Sequence, residues 1–366
     1  MKRTLVLVGG GHAHIEVLRQ FALDPPPDVD VALFDPSPSV WYPSMLPGVI
    51  AGHYEPSDAK VNLWALCQRA RVRFFQTSVL SINAETQRIE TGLGERHRFD
   101  MLSIDVGSVA RELPTAPGAY VVAAKPIDPM LAAITEFESV RTGALTVRVI
   151  GGGATAVEVA LALAYRWRDA KNRRVSIVSA TSLLKGLPSR ARRTARHACK
   201  RFNVTLRENS PVHHIDPTRL RLHSGEQIET QLTILATGYA PAPLLNKTVI
   251  TGIPAASVSV NKHLQCNTHP NIFAAGDCAA IDGVSVPKAG VFAVRQGPVL
   301  AHNLLAVARG ESLQSYAHQA QALRLISLGE KRAIAVRNGL ALGGEWAWRW
   351  KDSIDRKWML KYAPGE

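Results

Sequence analysis

The chain has 366 residues, long enough for two cores, and its hydrophobic (46%) and charged (20%) fractions exclude a disordered or fibrous protein. A formal charge of +13 biases the surface toward anions such as nucleotide phosphates and acidic lipids. No nucleic-acid module is visible, and no run approaches the ~20 apolar residues that span a bilayer.

In chain order, Thr4–Val8 predicts a buried strand, Gly9-Gly10-Gly11 a tight turn and Ala13–Ala22 a helix that Pro25-Pro26-Pro27 stops. The first apolar run meets glycine too soon for a signal peptide and reads as a first strand. Asp30–Phe34 is the next strand and ends at Asp35. Trp41–Gly52 holds too many prolines and glycines for regular structure, so it reads as an ordered loop able to line a flat apolar ligand. Val72–Ile82 and Arg88–Thr91 read as strands of a small meander, and Met101–Val106 as a buried strand closing at Gly107. Leu113–Pro117 marks a boundary, and Pro129–Thr142 reads as a helix.

The opening pattern then returns: strand Thr146–Ile150, Gly151-Gly152-Gly153, helix Ala154–Arg168 and strand Arg174–Val178. Arg190–Arg201 is a basic helix. Strands Gln231–Ala236 and Asn271–Ala274 end in Ala236-Thr237-Gly238 and Ala275-Gly276-Asp277, and Gly290–Ala308 is a long helix. From Glu311 onward come short strands and a Trp-rich tail. The predicted fold class is α/β, with two Rossmann-like dinucleotide-binding domains and a small C-terminal region. The expected boundaries are 1–115, 116–235, 236–310 and 311–366.

A glycine turn between strand and helix lets the backbone approach a pyrophosphate, whose charge sits at the helix N-terminus. Asp35 ends the second strand near the ~20-residue spacing expected of an acid that bonds ribose. His14 occupies the third fingerprint position, implying looser packing or a polar contact there. His12 and His14 suit a capping or phosphate-side role better than a metal, and no metal is expected. In the second unit Gly151, Gly153 and Ala156 fit the same fingerprint, with Ala154 between them. Its second strand ends at Ser179 instead of an acid, and Lys185, Arg190, Arg192 and Arg193 are near in sequence, which mildly favours NADPH over NADH. Glu158 suits either a helix N-terminal charge or a proton carrier beside a nicotinamide. Two such loops on one chain suggest a flavoprotein that takes hydride from a nicotinamide.

The four cysteines, Cys67, Cys199, Cys266 and Cys278, form no CxxC, so neither a zinc knuckle nor a dithiol motif is present, and a reducing cytosol is the expected setting. In the tail, Trp350, Ile354 and Trp358 fall on one helix face among basic residues. This stretch, within Trp346–Tyr362, reads as an anchor at the inner face of a membrane or as a helix packing on the protein or on a second copy. Asp352 and Asp355 favour packing.

Gly9–Gly11, Gly151–Gly153, Ala236-Thr237-Gly238 and Gly276-Asp277, in this order, resemble the pyridine nucleotide-disulfide oxidoreductase superfamily. The wording of Leu5–Leu18, Met45–Tyr54, Pro287–Pro298 and Trp348–Asp355 is similar to flavoproteins fused to, or found beside, selenide, water dikinase, which are related to type II NADH dehydrogenases. The resemblance implies bound FAD held by Gly9, Gly10, Gly11, His12, Asp35, Gly276 and Asp277, with Ser44, Val79, Gly107 and Gly238 completing the cofactor-facing set. It implies that Lys288, Ala289 and Gln296 lie near the flavin ring and the acceptor, and that Glu158 acts near flavin and nicotinamide. Trp41–Gly52 lacks the redox cysteine pair of the disulfide-reducing members, so a quinone is the favoured acceptor. The other readings are a small selenium or sulfur compound, oxygen, and a redox-sensing flavoprotein without turnover. Selenide, water dikinase is the implied partner, and the chain is expected as a monomer or homodimer.

Overall fold

Thr4–Val8 carries only apolar or β-branched side chains, a run that is stable where both sheet faces are covered. In the computed structural model, which describes residues 2–139, 145–170, 172–249, 256–284, 288–319 and 322–363, it lies in the strand Arg3–Val8 at the centre of a five-stranded parallel sheet. Val29–Phe34 pairs on one side and Met101–Ile104 on the other, with Phe34 and Ile104 both in register with Val8. Arg73–Phe75 and Ile272–Ala274 form the edges. A second parallel sheet repeats this plan. Leu145–Ile150 is flanked by Arg173–Val178 and Leu232–Leu235, and Thr205–Arg207 and Val121–Ala123 lie outside them.

Each sheet is buried in its own core. Leu5, Leu7, Ile15, Leu33, Phe273 and Leu300 belong to the first, and Val147, Val149, Ala160, Leu161 and Ile177 to the second. Burying each of these Val, Leu, Ile and Phe side chains is worth ~1.5–3 kcal/mol. Ser108–Ala110 pairs antiparallel with Tyr239–Pro241, so the chain leaves the first unit and re-enters it as neighbouring strands. Arg324–Leu328, Glu330–Arg337 and Leu340–Gly344 form an antiparallel sheet that leads into the C-terminal helix Glu345–Leu360.

Three sequence expectations need correction. Trp41–Gly52 is not a loop. It contains the end of a strand, Ser39–Trp41, and a helix, Leu46–Ala51, with Pro47 in the first turn and Gly52 as a left-handed cap (φ 78°). Those are the positions at which each residue suits a helix. Its apolar side chains Met45, Leu46, Val49 and Ile50 are buried in the second core, so they do not line a ligand surface. Val72–Ile82 is not one strand. Arg73–Phe75 closes the parallel sheet, and Val79–Asn83 starts the antiparallel meander with Arg88–Thr91, because the polar Gln76-Thr77-Ser78 breaks the run. Nor do Trp350, Ile354 and Trp358 share an environment. Eight residues rotate a helix by about 80°, and Trp358 turns into the first core while Trp350 and Ile354 stay 42% and 40% exposed. Trp346, 47% exposed, joins the outer stripe and stacks on Trp350. Pro287 and the expected end of the Pro129–Thr142 helix lie outside the described residues.

Candidate active site

At the first turn Gly9 has φ +87°, and a Cβ there would stand 2.6 Å from the Asp105 carbonyl oxygen. Gly9 and Gly11 donate their N–H groups to the Phe34 and Asp105 carbonyls. Gly10 donates to Asp35 Oδ2 at 2.7 Å, and Ser37 to Asp35 Oδ1 at 2.8 Å. The acid expected to meet a ribose therefore also braces the loop, and its burial raises its pKa. Behind the turn, Asp105 Oδ2 accepts from the Ala13 and His14 amides at 2.8 and 3.1 Å, filling the start of helix His12–Leu23. Burial, then the Asp277 charge, push the Asp105 carboxyl up to about 7 against those two amides and Lys125. His14 is no phosphate ligand. It is fully buried, and its ring nitrogens bond the Gly9 carbonyl (2.6 Å) and the Ser103 hydroxyl (2.8 Å). The imidazole is the polar contact that replaces the third glycine.

His12 faces the other way. Its ring lies 5.8 Å from Tyr42 and 5.5 Å from Trp358, which stack on each other at 4.1 Å. Burial, then Lys125, lower its pKa to about 4, so it is neutral at physiological pH. Its amide begins the helix and is the donor that the carboxylates of Asp35 and Asp105 leave to a ligand.

Beside this cradle, Asp277 Oδ2 accepts from the Ser108 hydroxyl at 2.7 Å and lies 3.8 Å from Lys125 Nζ. Gly107 (φ 66°) and Gly276 (φ 71°) bring the backbone close to Lys125 and Asp105. Gln296 Oε1 accepts from the Gly276 amide at 2.6 Å. Lys288 Nζ donates to the Asp277 and Ala279 carbonyls at 2.7 and 3.0 Å, and Ala289 caps the helix Gly290–Arg309. Gln296 and Lys288 thus hold Gly276-Asp277 in place. Any proton transfer by Lys288 would first break two hydrogen bonds.

The second turn repeats the first at its opening residue. Gly151 has φ +145°, and a Cβ would overlap the Ala236 carbonyl. Beyond that it is open. Nothing lies within 4 Å of a Cβ on Gly153, no side chain caps helix Ala154–Arg166, and Ala154 and Thr155 are exposed. Ser179 is buried against Gly152, in the place Asp35 takes beside Gly10, and accepts from the Thr181 amide. Lys185, Arg190 and Arg193 are exposed, and Gly238 (φ 96°) has open space at its Cα.

Glu158 meets the C-terminal region. Its Oε1 accepts from the Ser327 amide at 2.9 Å, and burial raises its pKa to about 7 while Lys351 opposes that rise. Lys351 Nζ donates to Asp355 Oδ2 (2.6 Å) and Ser44 Oγ (2.9 Å), and the Ser44 hydroxyl donates to Asp355 Oδ1 (2.8 Å). Ser44 therefore joins a buried ion pair. Tyr239, 46% exposed, opens the strand that pairs with Ser108–Ala110, and burial, then the charges of Asp277 and Glu158, raise its pKa. Val79 is buried in the meander, in register with Thr91, and brings no polar side chain.

The sequence does not single out Asp105, Ser108, Lys125, Tyr239 or Lys351, and it gives Asp355 a packing role without its ion pair. An acid closing an apolar strand was the signal for Asp105, and an i, i+4 pair the signal for Lys351 and Asp355. All four cysteines are buried and free. Cys278 donates to the Ala275 carbonyl at 3.1 Å, and burial pushes its thiol up to about 12, so it is no nucleophile at neutral pH. No helix among the described residues is long and apolar enough to cross a membrane.

A family model described as pyridine nucleotide-disulphide oxidoreductase matches residues 3–303. The NAD(P)H nitrite reductase of Bacillus subtilis is 27% identical and aligns with 78% of this chain, which spans only 35% of that protein. The type II NADH:quinone oxidoreductase of Haemophilus influenzae is 22% identical, over 94% of this chain and 90% of its own length. The sulfide:quinone oxidoreductase of Aquifex aeolicus shares the fold, with a TM-score of 0.82 at 19% identity over 98% of this chain and 91% of that one.

Proposed function

This chain belongs to the pyridine nucleotide-disulphide oxidoreductase family, whose cofactors are FAD and NAD(P)H, and we propose that it carries electrons from NAD(P)H through FAD to a quinone. The observation that carries the reading is the pair of glycine turns on matching parallel sheets, one braced by carboxylates and one open. FAD fits the first cradle, because its glycines admit no Cβ and its helix start leaves the His12 amide for a diphosphate. When bound, FAD supplies the acceptor for hydride and the donor for the second substrate.

In this reading Gly9–Gly11, His12 and Asp35 hold the ADP half. Asp277, positioned by Ser108, Lys288 and Gln296, accepts from the ribityl hydroxyls. Gly151–Gly153 and the uncapped start of helix Ala154–Arg166 take the nicotinamide dinucleotide, and Ser179 sets no carboxylate against a 2′-phosphate, which mildly favours NADPH. Glu158, protonated below about 7, holds the proton that an acceptor needs, and Lys351 and Asp355 set its field. A quinone is supported by the quinone oxidoreductase relative and by buried cysteines that leave no thiol pair to reduce. The exposed Trp346–Trp350–Ile354 stripe fits peripheral contact with the bilayer that dissolves such an acceptor. A partnership with selenide, water dikinase rests on the sequence resemblance alone.

The test is turnover with NADPH or NADH against a panel of quinone analogues, oxygen and selenium or sulfur compounds. Quinones are expected to give the highest kcat/KM. A higher value with any other acceptor, or no quinone turnover, overturns the assignment.

A further inference from the structure

The first half of helix Gly290–Arg309 carries polar groups that the reaction above does not use. Phe292 and Arg295 are one turn apart on one side of it. The segment that follows the helix runs back along that side. Asn303 Nδ2 donates to the Gln314 carbonyl at 3.0 Å, and the Gln314 amide donates to Asn303 Oδ1 at 2.7 Å. This return brings the His318 ring to 5.5 Å from Phe292, with Tyr316 6.4 Å from His318. Tyr316 is only 8% exposed. Arg295 Nη1, the Tyr316 hydroxyl and His318 Nδ1 are all buried with no hydrogen-bond partner.

One unpaired buried polar group is costly, and folded proteins rarely leave it so. Here three come from two packed segments: the Tyr316 and His318 rings lie 6.4 Å apart, His318 packs on Phe292 one turn from Arg295, and the Arg295 charge acts on the Tyr316 phenol. Their chemistry selects the missing partner. The guanidinium is always charged and only donates, the phenol has a proton to give, and the imidazole donates from Nδ1 in the tautomer that carries the proton there. Burial holds the Tyr316 phenol above its ordinary pKa, so it keeps that proton. Such a set suits an oxyanion and repels a cation.

We propose that Arg295, Tyr316 and His318 bind the oxyanion of a small ligand, a phosphate or a carboxylate, at a site outside the residues that face the two glycine turns. The inference goes beyond the electron-transfer reading and stands without it.

The FAD-loaded full chain is titrated calorimetrically with inorganic phosphate and, separately, with acetate, chloride holding the ionic strength constant. At least one of the two should bind saturably, and which one separates a phosphorylated ligand from a carboxylic one. Because phosphate also has access to the open glycine turn, the assignment rests on the variants. Arg295→Gln should weaken binding about tenfold or more, and Tyr316→Phe, which keeps the ring, should weaken it several-fold, with flavin content and NAD(P)H affinity unchanged. Absence of saturable binding by either anion, or variants that bind as tightly as the wild type, would overturn the site.

Discussion

The two glycine turns start alike and finish differently. At the first residue of each, a left-handed glycine passes so close to a neighbouring strand's carbonyl, Asp105 in one and Ala236 in the other, that a Cβ has no room. Past that residue the first turn is filled from within. Asp35 takes the Gly10 amide and Asp105 takes those of Ala13 and His14, while a Cβ on Gly11 would strike the Asp105 carboxylate. The second turn has Ser179 in place of Asp35, Ala236 in place of Asp105, and an uncapped helix. A turn fixed in shape by its own core is preorganised for a group that stays, and an unbraced one suits a group that comes and goes. Resident FAD and exchanging NAD(P)H match that difference.

Alanine at the two opening glycines tests the contrast most severely. Gly9→Ala forces a side chain into a positive-φ position against backbone and should cost ~3 kcal/mol or more, read as lost FAD and a lower Tm. Gly151→Ala meets the same kind of backbone clash and should also lower Tm, but in the second core, so the protein should stay yellow with KM for NAD(P)H raised ~10-fold or more. Equal loss of FAD in both would erase the distinction. Next in size is Glu158→Gln, which should lower turnover ~100-fold with FAD retained. The pH profile carries the sign. The wild-type carboxyl donates while protonated, so its rate should fall as pH rises through about 7, and the variant should lose that slope. An unchanged rate and profile would return Glu158 to a structural role.

Asp277→Ala should weaken FAD binding ~10- to 100-fold by removing a charged acceptor, measured by flavin fluorescence. A fully loaded variant would contradict its role. A gentler probe is Asp105, whose carboxyl, raised to about 7, is protonated below that pH and negative above it. A diphosphate binds more readily beside the neutral form, so FAD affinity should decline as pH rises through 7 by about tenfold or less per unit. Asp105→Asn, which still accepts from Ala13 and His14, should flatten the decline; an undiminished slope would place the titrating group elsewhere. Smallest is Ser179→Asp, expected to shift the NADPH:NADH ratio of kcat/KM toward NADH by ~10-fold or less.

How far these features are readable from sequence depends on how local their partners are. The strand–glycine–helix units are local, and Arg3–Val8 and Leu145–Ile150 lie where periodicity and glycine place them. Asp105 has local context only as an odd acid at the end of an apolar strand; its meaning comes from the Ala13 and His14 amides at the other end of the unit. Lys351 and Asp355 read as surface charges in a Trp-rich tail until Ser44, from the far end of the chain, closes over them. Pro47 and Gly52 read as breakers because composition does not reveal position within a helix. Spacing alone groups Trp358 with Trp350, whereas the first core decides which way it faces.

The central claim is that one chain sets an exchanging nicotinamide against a resident flavin. Anaerobic stopped-flow mixing of the FAD-loaded protein with NADPH tests it most directly. The account predicts that the flavin's visible absorbance bleaches in a phase whose rate saturates with NADPH, and that Gly151→Ala shifts this saturation without loss of colour. Protein that takes up no FAD, or holds FAD that neither nicotinamide bleaches, would contradict it.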